Sequence, residues 1–343
     1  MSGKGITYKD AGVNIDNANA AVKRIRGLAR ATYTPGVLSD IGSFGGMFAC
    51  NFAGMKEPVL VSSTDGVGTK LKIAIMMNRH NTVGADLVGH CVNDILVQGA
   101  KPLFFMDYFA TGKLEPDVVV SVVEGVANGC KRAGIALLGG ETAEMPGFYA
   151  DGDYDIAGFI VGVVDRAKVL DGTSIRHGDV LIGLPSVGLH TNGYSLARKL
   201  FFDIAGLNAD SSYPGLNGSV GEELLKPHLN YEPILRKALD AGLVNGLAHI
   251  TGGGITENLD RILPKDCGAE VHLGSWPALP LCTAMQEIGK IEQAEMLRAT
   301  NMGIGMVCVV KLSNVEAFCN TLETPYYRIG EIIPGEPKVT YRA

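Results

Sequence analysis

Short apolar runs in this chain end in turns built of glycine and polar side chains, and that pairing constrains the fold most. Val59-Leu60-Val61 runs into Ser62-Ser63-Thr64-Asp65-Gly66-Val67-Gly68-Thr69-Lys70. Ile135-Ala136-Leu137-Leu138 runs into Gly139-Gly140-Glu141-Thr142-Ala143-Glu144-Met145-Pro146-Gly147. Val180–Leu184 runs into a loop at 185–194, and a helical pattern follows from Tyr194. Buried strands that end in such turns and alternate with helices predict a layered α/β architecture. The 45 glycines gather in these clusters rather than in a repeat, so they read as loops that approach ligands.

At 343 residues, 46% hydrophobic and 19% charged, the chain is long enough for two domains, each with its own core. A boundary is expected at Arg166–Gly178, dividing residues 1–168 from 169–343. The first part predicts a helix from Asn17 to Arg30, strands at 58–63 and 102–109, and a helix over Asp86–Gln98. A helix over Asp117–Arg132 and strands at 135–138 and 156–164 follow. The second predicts strands at 180–184, 268–273, 304–311 and 327–333, with helices at 194–203, 231–242, 255–263 and 281–289. A net charge of −6 without a basic block argues against nucleic-acid binding, and an anionic ligand would need a local positive field. Seven scattered cysteines without a C-x-x-C pair read as reduced thiols of a cytoplasmic protein. Met1-Ser2-Gly3-Lys4-Gly5 leads into polar sequence without a signal core, and charges at Glu124, Lys131 and Arg132 interrupt Val118–Leu138 as a membrane span.

The Thr64–Lys70 run carries a carboxylate, two glycines, two threonines and a lysine at one strand end. Its spacing is not that of a P-loop, and by itself it reads equally as a strand-end turn or as a metal–nucleotide site. In Gly84–Gln98, Asp86, His90, Asn93 and Asp94 recur at helical spacing away from an apolar face. His90 and Asp94 stand four apart, as a transition-metal pair does. With no cysteine pair or third ligand nearby in sequence, His90 is expected to be a partly buried polar histidine. Glu141 is expected to bring a third carboxylate to the same sheet end, an oxygen set that suits Mg²⁺. Gly188-Leu189-His190-Thr191-Asn192-Gly193 and Thr251-Gly252-Gly253-Gly254 each precede a helix and read either as tight turns or as phosphate cradles. Arg24, Arg26 and Arg30 read as a solvated basic face.

These motifs, with Tyr8-Lys9-Asp10-Ala11-Gly12-Val13, Cys91-Val92-Asn93-Asp94, Pro102–Tyr108, Tyr194-Ser195 and His249-Ile250, resemble the phosphoribosylformylglycinamidine cyclo-ligase (AIR synthetase) family from about Tyr8 to Met306. The resemblance implies two α/β domains and a homodimer, in which the N-terminal sheets form a barrel-like interface and the C-terminal domain carries a mixed sheet. It implies ATP-dependent closure of formylglycinamidine ribonucleotide to aminoimidazole ribonucleotide, with Mg²⁺. Carried onto this chain, Asp65, Asp94 and Glu141 become metal ligands. Lys70 neutralises phosphate charge, and Thr64, Gly66, Gly68, Thr69, Asn93, Gly139 and Gly140 line the nucleotide. His190, Thr191, Asn192, Gly193 and Thr251–Gly254 hold the substrate's ribose 5-phosphate, His190 as donor or acid/base. The chain departs from the family at Ala299-Thr300-Asn301-Met302-Gly303, where Thr-Phe-Asn-Cys-Gly is usual. It departs again at Pro227-His228-Leu229-Asn230-Tyr231, where Leu229 replaces a basic residue. A selenophosphate-synthetase-like enzyme would carry a reactive cysteine near a glycine-rich loop; Cys50 follows one but is expected to pack. A non-catalytic nucleotide binder would not need several carboxylates along one phosphate path.

Overall fold

The computed structural model describes residues 6–8 and 10–343, so the Met1–Gly5 lead and Lys9 of the Tyr8–Val13 motif lie outside the described residues. Helix α1 (Ile15–Arg30) starts after Asn14, whose side chain accepts from the N–H groups of Asp16 and Asn17. Then come β1 (Pro58–Gly66), α2 (Lys70–Met76), α3 (Asn81–Leu96), β2 (Lys101–Thr111), α4 (Pro116–Ala133), β3 (Ala136–Glu144) and β4 (Tyr154–Asp165). The sheet order is β1-β4-β2-β3. Strands β2 and β3 are parallel, joined by the α4 crossover, and β4 runs antiparallel to β1 and β2. Helix α4 begins with Pro116 and stops at Gly134, which takes a left-handed cap with φ 67°.

Helices α3 and α4 cover one face of this sheet and approach each other through glycine. A Cβ on Gly84 would lie 2.1 Å from the Val122 carbonyl, and one on Gly125 would lie 2.0 Å from that of Asn81. Along β3, Gly139–Glu144 are strand rather than the expected turn, because a bulge at Phe105/Met106 lets β2 keep pairing with the glycines.

The second part carries β5 (Val180–Pro185), β6 (Gly246–His249), β7 (Cys267–His272), β8 (Ile304–Val310), β9 (Tyr327–Pro334) and β10 (Val339–Arg342). Their order is β10-β7-β9-β5-β8-β6, mixed because only β10 and β7 are parallel. Strands β6 and β10, helix α2 and the helices Gln293–Ala299 and Val315–Cys319 were not anticipated from sequence; each is seven residues or shorter. The expected helix from Tyr194 begins as α-helix to Arg198 and continues as a π-helical turn over Lys199–Ile204.

The two parts share core. Leu189, Tyr194, Ala197 and Leu200 pack in the same cluster as residues of α3 and α4, and Leu96 of α3 joins the cluster of β5 and β8. The α3 face that carries its polar residues is therefore pressed against the second sheet's loops.

Candidate active site at the domain joint

Asp86 and Lys70 set the joint. Lys70 Nζ lies 2.7 Å from Asp86 Oδ2, and neither side chain has any exposed surface. The same ammonium donates to the carbonyls of Lys226 (2.7 Å) and His190 (3.2 Å), while Asp86 Oδ1 accepts from the His228 N–H at 2.6 Å. Burial pulls the Lys70 pKa down and pushes the Asp86 pKa up, and their mutual attraction opposes both shifts. Lys70 thus differs from its expected role. It follows Thr69 into α2, turns inward and ties the 190 and 226 loops to α3 instead of meeting a phosphate.

Two carboxylates converge one turn further along α3. Asp65, at the end of β1, places Oδ2 2.6 Å from His90 Nε2; Asp94 Oδ2 lies 3.8 Å from the same nitrogen. Asp65 also accepts from the Gly66 N–H at 2.7 Å, and Asp94 from Ser63 Oγ at 3.0 Å. Burial opposes ionisation of both, but for Asp65 the His90 and Gly66 contacts outweigh it. For Asp94 the bonds to His249 and Ser63 do so, and both carboxyls stay below their ordinary value. Burial likewise opposes the charge on His90, and the neighbouring carboxylates raise its pKa regardless.

From His90 a chain of contacts crosses into the second domain and returns. His90 Nδ1 lies 2.7 Å from Thr191 Oγ1, which is 3.3 Å from His228 Nδ1. His228 Nε2 is 3.0 Å from His249 Nε2, and His249 Nδ1 is 2.9 Å from Asp94 Oδ1. Asn93 clamps the departing segment, donating to the Leu229 carbonyl (2.7 Å) and accepting from the Tyr231 N–H (2.9 Å). The change at Leu229 therefore falls where the backbone, not the side chain, makes the joint. His190 is fully buried at φ 60°, stacks on His228 at 4.2 Å between centroids, and has no hydrogen-bond partner at either ring nitrogen. Burial drives the pKa of His190 and His228 well below the ordinary value. The expectation of a phosphate-facing His190 side chain is corrected accordingly: its ring is packing, and the polar part of its loop is carried by Thr191, Asn192 and Gly193.

The two glycine-bearing loops meet. A Cβ on Gly252 would lie 3.3 Å from Asn192 Oδ1, whereas one on Gly254 (φ 62°) would strike the Leu297 carbonyl at 1.8 Å. Gly252 thus faces the neighbouring loop and Gly254 is a packing requirement. Asn258 holds the turn, donating to the Gly252 and Gly254 carbonyls, and accepts from Thr251 Oγ1. Asn301, within the other departing segment, braces the same region by donating to the Gly188 carbonyl at 2.9 Å. A cleft of about 520 Å³ is lined by Ser63, Asp65, Asp94, His249, Thr251 and Arg261. Sequence reading did not single out Arg261; its only signal is a position one residue past the helix Gly254–Asp260.

Glu141 lies elsewhere. It pairs with Tyr108 on β3, the opposite edge of the sheet from β1, and lines a second cavity of about 540 Å³ with Asp40, Gly42–Gly46, Asp107, Gly139, Gly140 and Thr142. Within one chain it does not join Asp65 and Asp94, because β4 and β2 stand between. Asp107 is the residue missed here: burial pushes its carboxyl up to about 7. Its Oδ1 would be 2.2 Å from a Cβ at Gly140, so only glycine fits opposite it. Arg24 and Arg30 are exposed and paired with Asp117 and Asp40, a surface role. Cys50, expected to pack, is exposed.

Two α/β units closed on a cleft that joins carboxylates to glycine-bearing loops define a two-domain α/β protein. The N-terminal domain of AIR synthase related protein matches residues 50–164, and its C-terminal domain matches residues 176–342. The phosphoribosylformylglycinamidine cyclo-ligase of Syntrophotalea carbinolica is 54% identical over 98% of both chains. That of Geotalea uraniireducens is 57% identical over 90% of this chain and 89% of its own. Thiamine-monophosphate kinase from Stenotrophomonas maltophilia superposes with TM-score 0.68 at 18% identity, covering 94% of this chain and 95% of its own. The hydrogenase maturation protein HypE of E. coli gives 0.67 at 18% identity, over 95% and 94%. Those two likenesses show the fold alone. The chain belongs to the AIR synthase related family.

Proposed function

We propose that this chain catalyses ATP-dependent ring closure of formylglycinamidine ribonucleotide to 5-aminoimidazole ribonucleotide, releasing ADP and phosphate, in de novo purine biosynthesis. The observation that carries this reading is the 54% identity to a cyclo-ligase over 98% of both chains. The chemical difficulty is that an amide oxygen leaves poorly. Transfer of the ATP γ-phosphoryl group to the formyl oxygen gives an iminophosphate. The substrate's own amidine nitrogen then attacks that carbon, the ring closes and phosphate departs. No protein nucleophile is needed; the protein positions the reactants and neutralises charge.

Asp65 and Asp94 fit a hard cation, since both are ionised and both face one cleft. They would hold Mg²⁺, which when bound neutralises the triphosphate. Thr64, Gly66, Gly68 and Thr69 would flank the nucleotide, and His249 orients the Asp94 carboxylate. Thr191, Asn192, Gly193 and Thr251–Gly252, with Arg261, would take the ribose 5-phosphate. Residues 1–168 would thus bind nucleotide and pair the subunits, and 169–343 would hold substrate phosphate.

Glu141 requires a second copy. Strands β1 and β3 are the open edges of the N-terminal sheet, and open edges are templates for pairing. Joining β1 of one copy to β3 of another would close eight strands into a barrel and carry Gly139, Gly140 and Glu141 toward Asp65. Among the described residues no helix is long and apolar enough to cross a membrane.

The test is product analysis with ATP, Mg²⁺ and formylglycinamidine ribonucleotide. Equal yields of ADP and aminoimidazole ribonucleotide are expected, and ATP turnover without ring closure would overturn the assignment. Asp65→Asn should fold normally and lose turnover by two or more orders of magnitude, a loss of about 3 kcal/mol in transition-state stabilisation; wild-type rates would remove Asp65 from the metal site.

A further inference from the structure

We infer that His90, Asp94 and His249 form a site for a borderline divalent transition metal of the Zn²⁺ class, bridging the two domains. His90 and Asp94 stand one turn apart on α3, and His249 comes from the end of β6, 155 residues beyond Asp94. The third ligand that the sequence around α3 lacks is supplied across the joint. One ligand atom from each residue lies within 4.8 Å of the other two. A tetrahedral site with metal–ligand bonds of about 2.1 Å sets its ligand atoms about 3.4 Å apart, so the Asp94–His249 pair at 2.9 Å opens slightly while His90 closes in.

Three features go beyond proximity. First, His90 Nε2 is buried and contacts both carboxylates, yet is aligned for a hydrogen bond with neither. Second, each ligand is gripped from behind. Thr191 Oγ1 holds the far nitrogen of His90 at 2.7 Å, His228 Nε2 holds that of His249 at 3.0 Å, and Ser63 Oγ holds Asp94 at 3.0 Å. Outer partners of that kind fix the tautomer and ring direction of metal-bound imidazoles. With His249 Nε2–H donating to His228, and His228 and His90 both donating Nδ1–H to Thr191 Oγ1, the two ligating nitrogens, His90 Nε2 and His249 Nδ1, carry no proton. Third, the imidazole side chains are only 4% exposed while Asp94, at 24%, opens onto the cleft. That leaves a fourth position for water or a ligand oxygen, as in sites that act on substrates.

Two imidazoles and one carboxylate favour a transition metal over Mg²⁺, which takes oxygen ligands and keeps its water. The site shares Asp94 with the nucleotide-metal reading but does not rest on it, so its test uses no nucleotide. The chelator-stripped, full-length protein is titrated with Co²⁺ and followed by visible d–d absorption. The expected result is a band that saturates at one ion per chain, is abolished by Zn²⁺ and survives a large excess of Mg²⁺. His249→Asn and His90→Asn should each abolish it, with circular dichroism confirming the fold. His228→Asn, which removes only the outer partner, should weaken Co²⁺ affinity by about tenfold or more, and decides the matter if a ligand variant does not fold. Absence of the band, its displacement by Mg²⁺, or its persistence in the histidine variants would overturn the inference. Persistence would assign the ion to one of the two other clusters among the described residues, His177–Asp266–Cys267 or Glu270–His272–Glu331.

Discussion

At the scale of single residues, burial decides chemistry that the sequence leaves open. Lys70 ends a run that reads as a nucleotide motif, and nothing in its neighbours reveals that its ammonium is sealed against Asp86. Lys70→Met should therefore act first on stability. It leaves the Asp86 carboxylate uncompensated at the joint, and a loss of about 3–5 kcal/mol is expected from urea unfolding. An unchanged midpoint with impaired ATP affinity would return Lys70 to the nucleotide. The histidines give a second residue-scale prediction. Burial holds His190 and His228 neutral, well below the ordinary 6.5. Below that value the unfolded chain takes up protons that these two refuse, so stability falls on acidification, by about 1.4 kcal/mol per pH unit for each. His90, whose pKa is raised, has the opposite sign: its contribution is present below 6.5 and fades as pH rises through its folded value. Four lowered histidines, His80, His190, His228 and His249, stand against His90 and the raised carboxyls of Asp86 and Asp107, and the net expectation is a lower unfolding midpoint at about pH 5 than at about pH 7. A flat profile would contradict it.

At the scale of elements, glycines that look like loop material in composition prove to be packing devices. Gly84 and Gly125 let α3 and α4 touch backbone to backbone, and α3 carries Asp86, His90, Asn93 and Asp94. Gly125→Ala would drive a methyl group into the Asn81 carbonyl. The expected cost is about 1–3 kcal/mol by chemical denaturation, with weaker ATP binding as α3 shifts; full stability would show that the helices slide freely. Helices α1 and α4 were legible to within about two residues, whereas α3 begins at Asn81, a full turn before the expected Asp86. The strands β6 and β10 were not legible, because four residues give no period to read. The glycine pair at 139–140 signalled a turn but lies in a strand, since β2 supplies the pairing that local propensity withholds.

At the scale of the molecule, one face of the N-terminal sheet is left open. Leu60, Phe159 and Tyr108 keep 60%, 39% and 38% of their surface, on strands β1, β4 and β2. This is the face on which the proposed dimer would close. Leu60→Asp should yield a monomer in sedimentation velocity and lose turnover if Glu141 is supplied by a second copy. A fully active monomer would place the whole site within one chain.

The sequence by itself determined the layered α/β class, the position of most long elements, the family, and which loops carry carboxylates and glycines. These are local properties: periodicity along a few turns, and backbone freedom at particular residues. Only the tertiary structure decided which groups meet. It turned Lys70 inward, buried the His190 ring, sent Glu141 to the far edge of the sheet and gathered His90 and His249 beside Asp94, with His228 behind His249. Contacts between residues more than 100 positions apart depend on strand order and on how two sheets' loops close over one helix, and no short-range pattern encodes either.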